Sequence, residues 1–193
     1  IMRVNRLLVP FLIIVFGLAA CGVSPENRVK DGTLDLDKSI TVGKAFESYS
    51  YFKKVVWSHY TDKQGREIVQ VDAEFDIPKI LKTEPKLNAL ESAAAAAFLS
   101  AASKLPPEAV TLHYIVRFAL NKGDKGFSPY NAEYIVSSTD PSYKKVLENS
   151  PGVTNGIITD DDYTGLESIY SNNMAKIKIL LGVLALAGKV VPE

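Results

Sequence analysis

Residues 66–77 read REIVQVDAEFDI, and this stretch decides the fold. Apolar and polar side chains alternate along it, and the apolar positions are Val69, Val71, Ala73, Phe75 and Ile77. Successive side chains of a strand point to opposite faces, so the pattern predicts an antiparallel strand with one face buried. The turn sequence DKQG at 62–65 precedes it, and residues 54–61 are predicted to form the other strand of a hairpin.

The second half of the chain repeats this order of elements. Residues 109–120 alternate again, and after a turn at 121–126 the apolar positions resume at 130–136. A helix is predicted before each hairpin, a short one at 41–52 and an alanine-rich one at 84–105. We therefore predict an α+β fold in which a four-stranded antiparallel sheet of two hairpins is packed by helices.

The chain is also predicted to end in a long helix. Asp160, Asp161 and Asp162 place negative charge at its start, where the helix dipole favours it. From residue 177 to 187 the sequence is apolar nearly all round, so we expect another surface to cover it. This run is too short to cross a bilayer, which takes about 20 residues.

Composition excludes several classes of protein. The 193 residues include 22 Lys+Arg and 22 Asp+Glu, and the absence of a basic run argues against nucleic-acid binding. A single cysteine excludes a disulfide framework and a thiolate zinc cluster. His59 and His113 lie on different predicted hairpins, without the spacing of a zinc site. No phosphate loop, GxSxG or HExxH motif is present, so we expect no metal, no cofactor and no catalysis.

The N-terminal residues have the three parts of a secretory signal. Arg3 and Arg6 provide positive charge, residues 7–18 are almost entirely apolar, and LAAC follows at 18–21. Leu18, Ala19, Ala20 and Cys21 resemble the lipobox of bacterial lipoproteins. The alternative that the residues leave open is a free cysteine in an ordinary cleaved signal or in a signal anchor.

The lipoprotein resemblance implies an anchor and a location. Cys21 would become the first residue of the mature chain, with a thioether-linked diacylglycerol and an acylated amine, palmitate being the typical acyl group. Two or more acyl chains anchor a protein stably to a membrane, because each buried CH₂ contributes about 0.8 kcal/mol. Gly22 rather than Asp follows the cysteine, which in the family's sorting pattern implies the outer membrane of the bacterial envelope, facing the periplasm.

The domain organisation follows from these segments. We predict a signal peptide over residues 1–20, a lipidated flexible tether over 21–39 and a single α+β domain over 40–193. The tether is predicted because this segment is polar, has no sustained period and contains Pro25 and Gly32.

A second resemblance covers the start of the domain. The sequence TVGKAF at 41–46, Tyr51-Phe52, Trp57 and Gly65-Arg66 is similar to a small domain that recurs in uncharacterised bacterial secreted proteins and lipoproteins. At fold level the element order is also similar to small periplasmic modules such as outer-membrane assembly lipoproteins and β-lactamase-inhibitor proteins. Such a likeness implies a fold and no particular activity.

We therefore expect a lipid-anchored, non-catalytic module that binds a protein partner, in envelope assembly or maintenance. Apolar side chains beyond those needed for folding mark the candidate partner surface. They are Ile115 and Ile135 on the outer sheet face, and Ile177, Leu181 and Leu184 on the C-terminal helix.

Two alternatives remain open from the sequence. One is an enzyme or ligand carrier acting on envelope glycan or lipid, with a pocket at Trp57 and His59. The other is a homodimer in which the apolar C-terminal helices of two copies pair.

Overall fold

The computed structural model describes residues 23–123, 126–141, 143–145 and 154–187. The lipobox residues Leu18, Ala19 and Ala20 and the predicted lipidation site Cys21 lie outside these residues. Within the described ranges, no helix combines the length and the apolar character needed to cross a membrane.

One antiparallel sheet organises the described residues, and it confirms the α+β prediction. Its strands lie side by side in sequence order. They are β1 (Phe52–Thr61), β2 (Glu67–Phe75), β3 (Val110–Leu120), β4 (Phe127–Ser138) and β5 (Ile157–Thr159).

The sheet has five strands rather than the predicted four. The additional strand, β5, pairs with β4 by placing Ile157 opposite Ile135 and Thr159 opposite Glu133. It is three residues long, which is too short for a period of two to be recognised in the sequence.

The alternation in β2 separates the two faces of the sheet as predicted. Val71 lies between Trp57 of β1 and Val116 of β3, on a buried face that we call the inner face. Gln70 and Asp72 point to the opposite, outer face. The helices pack on the inner face: a Cβ at Gly165, in a C-terminal helix, would lie 2.5 Å from the ring of Tyr114.

The helices with assigned bounds surround this inner face. They are α1 (Pro25–Lys30), α2 (Val42–Ser48), α3 (Ile77–Lys82), α4 (Ala89–Ala102), α5 (Thr164–Tyr170) and α6 (Ala175–Ala187). Helix α4 begins later than predicted, at a capping box in which Asn88 and Glu91 each accept the other's backbone N–H at 2.9 Å.

The predicted tether over residues 21–39 requires a correction. Ser24 caps α1 through a hydrogen bond from the backbone N–H of Asn27, and Val29 of this helix is fully buried in the core. The Lys30 ammonium lies 5.2 Å from the ring centroid of Trp57. The folded domain therefore begins near residue 24 rather than 40. The sequence did not reveal this helix because six residues with a single buried valine are too few to show a helical period.

The predicted long C-terminal helix is two helices. Helix α5 ends at Tyr170, and Asn172 then adopts a left-handed backbone conformation with φ of 46°. Asn173 accepts a hydrogen bond from the backbone N–H of Ala175 at 2.9 Å, which helps to start α6. Asparagine tolerates the left-handed region, and its side chain often caps the start of a helix. The two asparagines at 172–173 were therefore the sequence signal for a break between two helices.

Candidate functional site

The C-terminal residues predicted to contact a partner are buried. Ile177, Leu181 and Leu184 all point from α6 into the core, and Leu181 has no exposed surface. The protein's own core covers this side of the helix, as the apolar sequence led us to expect of some surface. These three side chains are therefore not part of an exposed partner surface. A helix that is apolar nearly all round gives little sequence signal for which side faces inward, and even Lys178 of this helix is buried.

Helix α4 covers a second side of α6. The Asn173 side-chain amide donates to the backbone oxygen of Lys86 at 3.5 Å where both helices begin, and Gly182 lies against the backbone of Phe98 nearer to their ends. The two helices therefore run parallel. A Cβ at Gly182 would overlap the Phe98 carbonyl group, so glycine is what permits this close approach.

A third side of α6, together with one side of α4, remains uncovered among the described residues. Leu90 is 81% exposed, Val183 is 42% exposed and Leu186 is 37% exposed. Residues four positions apart lie on the same side of a helix. Leu90 and Ala94 therefore belong to one apolar strip on α4, and Ile179 and Val183 belong to another on α6. We call this area the helix-pair surface; it consists of Leu90, Ala94, Phe98, Ile179, Val183 and Leu186.

A groove of about 370 Å³ lies between α4 and α6 within this surface. Its floor is apolar and its ends and rim carry a few polar groups. It is lined by Lys86, Leu87, Glu91, Ala94, Ala95, Phe98, Asn173, Ala175, Lys176 and Ile179. Apolar walls with few polar groups are typical of binding sites.

The charges of the groove lie where the two helices begin. Lys176 forms an ion pair with Glu167 at 3.2 Å, and both side chains are more than half exposed. The Lys86 ammonium has no ion pair within the described part of the chain. Glu91 is bound to the backbone N–H of Asn88 in the capping box, so the positive start of α4 compensates its charge.

The outer sheet face carries the other two predicted partner residues, but they lie within a polar network. Ile115 is buried and Ile135 is half-buried. On the same face of the sheet, Arg117 donates a hydrogen bond to Gln70 at 2.9 Å and forms an ion pair with Glu133 at 2.9 Å. The polar groups of this face bind one another, so Ile115 and Ile135 do not form an exposed apolar patch.

The sequence did not single out a shallow cavity of about 490 Å³ at one end of this outer face. The guanidinium of Arg66 lies 4.1 Å from the ring centroid of Tyr130 and donates to its hydroxyl at 2.7 Å. Hydrogen bonds from the Arg66 backbone and side chain lower the pKa of the Asp62 carboxyl. In the sequence, this cavity could have been recognised only from Arg66, the basic residue that follows the predicted turn.

Trp57 and His59, the residues of the alternative pocket, contact helices of the same domain. Trp57 packs edge-on against Phe46 with ring centroids 5.8 Å apart. His59 Nδ1 lies 2.6 Å from a carboxylate oxygen of Glu26, and this hydrogen bond lowers the pKa of Glu26. Both residues therefore hold helices α1 and α2 against the sheet.

Asp160 is a buried carboxylate with a structural role. It accepts hydrogen bonds from the Tyr114 hydroxyl at 2.6 Å, from the backbone N–H of Gly165 at 2.9 Å, and from both the N–H and the hydroxyl of Thr164 at 3.0 Å. Burial is the main reason that the pKa of the Tyr114 hydroxyl is raised, and its hydrogen bond to Asp160 raises this pKa further. The predicted negative charge at a helix start is thus confirmed for Asp160, whereas Asp161 and Asp162 are exposed.

Comparison with protein-family models, with curated proteins and with solved structures finds no match for this chain. Its class is therefore defined by its own fold: an α+β domain with one antiparallel sheet, helices on one face and a helix pair with an apolar side that no other described residue covers. Among the residues that the structure describes, no group of three or more His, Cys, Asp or Glu side chains is arranged to hold a metal ion.

Proposed function

We propose that this chain is a lipid-anchored lipoprotein of the bacterial envelope that binds a protein partner through its helix-pair surface, without catalysis. The observation that carries the proposal is the exposure of Leu90, Val183 and Leu186 on two helices that pack against each other. Contiguous apolar surface of this kind typically marks an interaction site. Burying it against a partner contributes about 25 cal/mol per Å² of apolar area.

The proposed anchor lies close to the folded domain. The lipobox resemblance assigns lipidation to Cys21, and only residues 22 and 23 separate it from the capping residue Ser24. Three residues of extended chain reach about 10 Å. The anchor would therefore hold α1 near the lipid headgroups, at the outer membrane if Gly22 follows the family's sorting pattern.

Helix α1 and the helix pair lie toward opposite ends of the sheet. Glu26 of α1 contacts His59, near the end of β1, and Gly32 lies against Phe127, where β4 begins. By contrast, the Tyr49 hydroxyl, just before β1 begins, donates to the backbone oxygen of Asn173 at 3.1 Å, just before α6. Strand β1 has ten residues, or about 33 Å at 3.3 Å per residue. This geometry supports a partner in the aqueous compartment.

The anchor is tested by replacing Cys21 with serine. We expect the wild-type chain to fractionate with membranes and mass spectrometry to show a mature N-terminus at a lipidated Cys21. The C21S variant should lose nearly all membrane association, because acyl chains contribute about 0.8 kcal/mol per buried CH₂. An unmodified thiol in the wild type, or equal membrane retention of the two proteins, would remove the anchor from the proposal.

Partner binding is tested by replacing Val183 with glutamate. Capture of specific proteins from detergent-solubilised envelopes should fall about tenfold or more, because the charge must be desolvated in an apolar contact. The matched control is Val56→Glu, since Val56 is a valine of similar exposure, 44%, on the outer face of β1. Identical capture by V183E, V56E and the wild type would contradict the helix-pair surface as the binding site.

A further inference from the structure

The cavity of about 490 Å³ on the outer sheet face has the features of a ligand site. It lies between Tyr60 of β1 and Tyr130 of β4, and we call it the outer-face cavity. We infer that it binds a neutral oligosaccharide, with these two tyrosines as stacking surfaces and neighbouring side-chain amides as hydrogen-bond donors. The inference goes beyond the proposed function, because the helices pack on the opposite face of the sheet.

A β-bulge brings Tyr130 to this cavity. The register between β3 and β4 shifts next to Arg117, and Tyr130 is left without a partner on β3. Regular alternation would place Tyr130 on the inner face with the buried Tyr134, whereas the bulge leaves it 45% exposed beside the cavity. Bulges often redirect a side chain next to a functional site. This one turns an aromatic ring out of the core and toward the outer-face cavity.

The cavity is broad and has an apolar floor. Ile68 lies on the same face of β2 as Gln70, yet it is only 1% exposed because the cavity residues cover it. Strands β2 and β3 lie between β1 and β4, so three strand spacings, about 14 Å, separate the backbones of Tyr60 and Tyr130. This width exceeds a single sugar ring and fits a short chain of sugars.

The two tyrosines provide stacking surfaces. Tyr60 is 41% exposed, which is close to the exposure of Tyr130. The face of an aromatic ring carries partial negative charge, so the C–H groups on one side of a sugar ring pack well against it. The Arg66 guanidinium lies 4.1 Å from the Tyr130 ring centroid and donates to the hydroxyl at 2.7 Å. A ring that is already held in place loses little side-chain entropy when a ligand binds.

Two side-chain amides of the cavity have donors left for a ligand. The amide oxygen of Gln64 accepts a hydrogen bond from Arg66, and that of Asn131 accepts one from Arg117. The NH₂ groups of these two amides make no hydrogen bond within the described residues. Sugar hydroxyls both donate and accept, so they can accept from the amides and donate to the Glu133 carboxylate, which also lines the cavity.

The charges of the cavity favour a neutral ligand over an anion. Arg66 is paired with Asp62 at 2.6 Å, and Arg117 is paired with Glu133 at 2.9 Å. Lys63 is the one basic residue of the cavity that has no ion pair in the described part of the chain. Phosphate and carboxylate groups are typically bound by an available guanidinium fork. Here an anion would meet two guanidinium groups that carboxylates already neutralise.

The test is a titration followed by the side-chain amide resonances of Gln64 and Asn131. The whole chain is solubilised in a detergent that has no sugar headgroup. The probes are maltotetraose, cellotetraose and the tetramer of β-1,4-linked N-acetylglucosamine, with sodium phosphate at matched ionic strength as the anion control. We expect at least one tetrasaccharide to shift both amide resonances with a Kd of about 1 mM or tighter, and phosphate to leave them unchanged.

Variants assign this binding to the outer-face cavity. Tyr130→Ala removes one stacking ring and should raise the Kd about tenfold, whereas Tyr130→Phe keeps the ring and should stay within about threefold. Tyr60→Ala removes the other ring and should also weaken binding. The matched control is Tyr51→Ala, just before β1 begins, where the Lys79 ammonium lies 5.8 Å from the ring centroid. It should leave the affinity unchanged.

Several outcomes would overturn the inference. These are the failure of every tetrasaccharide to shift the resonances, shifts that bypass Gln64 and Asn131, or equal affinity of Y130A, Y60A and Y51A. Larger shifts with phosphate than with the sugars would also overturn it and identify an anion site. Partner capture by V183E is measured separately, so this inference can fail while the proposed function stands.

Discussion

Replacing Asp160 with alanine is expected to lower the free energy of unfolding by about 2–6 kcal/mol, because it removes the acceptor of several buried hydrogen bonds. The Asp160 carboxylate accepts hydrogen bonds from Tyr114, Thr164 and Gly165 at 2.6–3.0 Å, and it is buried. Without it, the buried Tyr114 hydroxyl and the backbone N–H of Gly165 lose their partner, and each unsatisfied group costs about 1–3 kcal/mol. The measurement is urea-induced unfolding followed by circular dichroism.

The neighbouring residue provides the control for this substitution. Asp161 is exposed, so Asp161→Ala should change the free energy of unfolding by no more than about 0.5 kcal/mol. Equal losses in D160A and D161A would mean that general negative charge before α5, rather than the buried hydrogen bonds, stabilises this region.

Replacing Leu181 with alanine is expected to lower the free energy of unfolding by about 2–5 kcal/mol. Leu181 is fully buried between α6 and the rest of the core, so alanine loses the transfer free energy of the deleted atoms and leaves a cavity. Thermal and urea unfolding of the variant, compared with the wild type, measure the loss.

The control lies two residues further along the same helix. Val183→Ala should change the free energy of unfolding by about 0.5 kcal/mol or less, because this side chain is 42% exposed and alanine favours the helix. If L181A were tolerated as well as V183A, Leu181 could not be the side chain of α6 that points into the core. The pair therefore tests independently which side of α6 is available to a partner.

The sheet was predictable because its signal is local. Alternation in β2 and β3 indicates which side chains share a face, and the structure confirms this for Val69, Val71 and Ala73. The ion pair between Arg117 and Glu133 was not predictable, because cross-strand partners depend on register, which the turn and bulge geometry set. The three-residue β5 and the six-residue α1 are too short to show a period.

The candidate site was predictable only in part. The sequence indicates excess apolar surface on the C-terminal helix, and Val183 and Leu186 show that some of it remains exposed. It does not indicate that Leu181 faces inward, because the helix is apolar nearly all round. Its Lys178, which would suggest an outward side, is itself buried, and its ammonium donates to the backbone oxygens of Leu81 and Thr83. Nor does the sequence reveal the pairing with α4, which depends on the close approach of Gly182 to Phe98.

The sequential order of the five strands also has a kinetic consequence. Neighbouring strands in the chain are neighbours in space, so β1–β2 and β3–β4 each form by closing a short loop. Joining β2 to β3 instead requires closure of the long connection that contains α3 and α4. Because the entropy of loop closure must be overcome before distant contacts form, we expect docking of the two hairpins to be the slow step of folding.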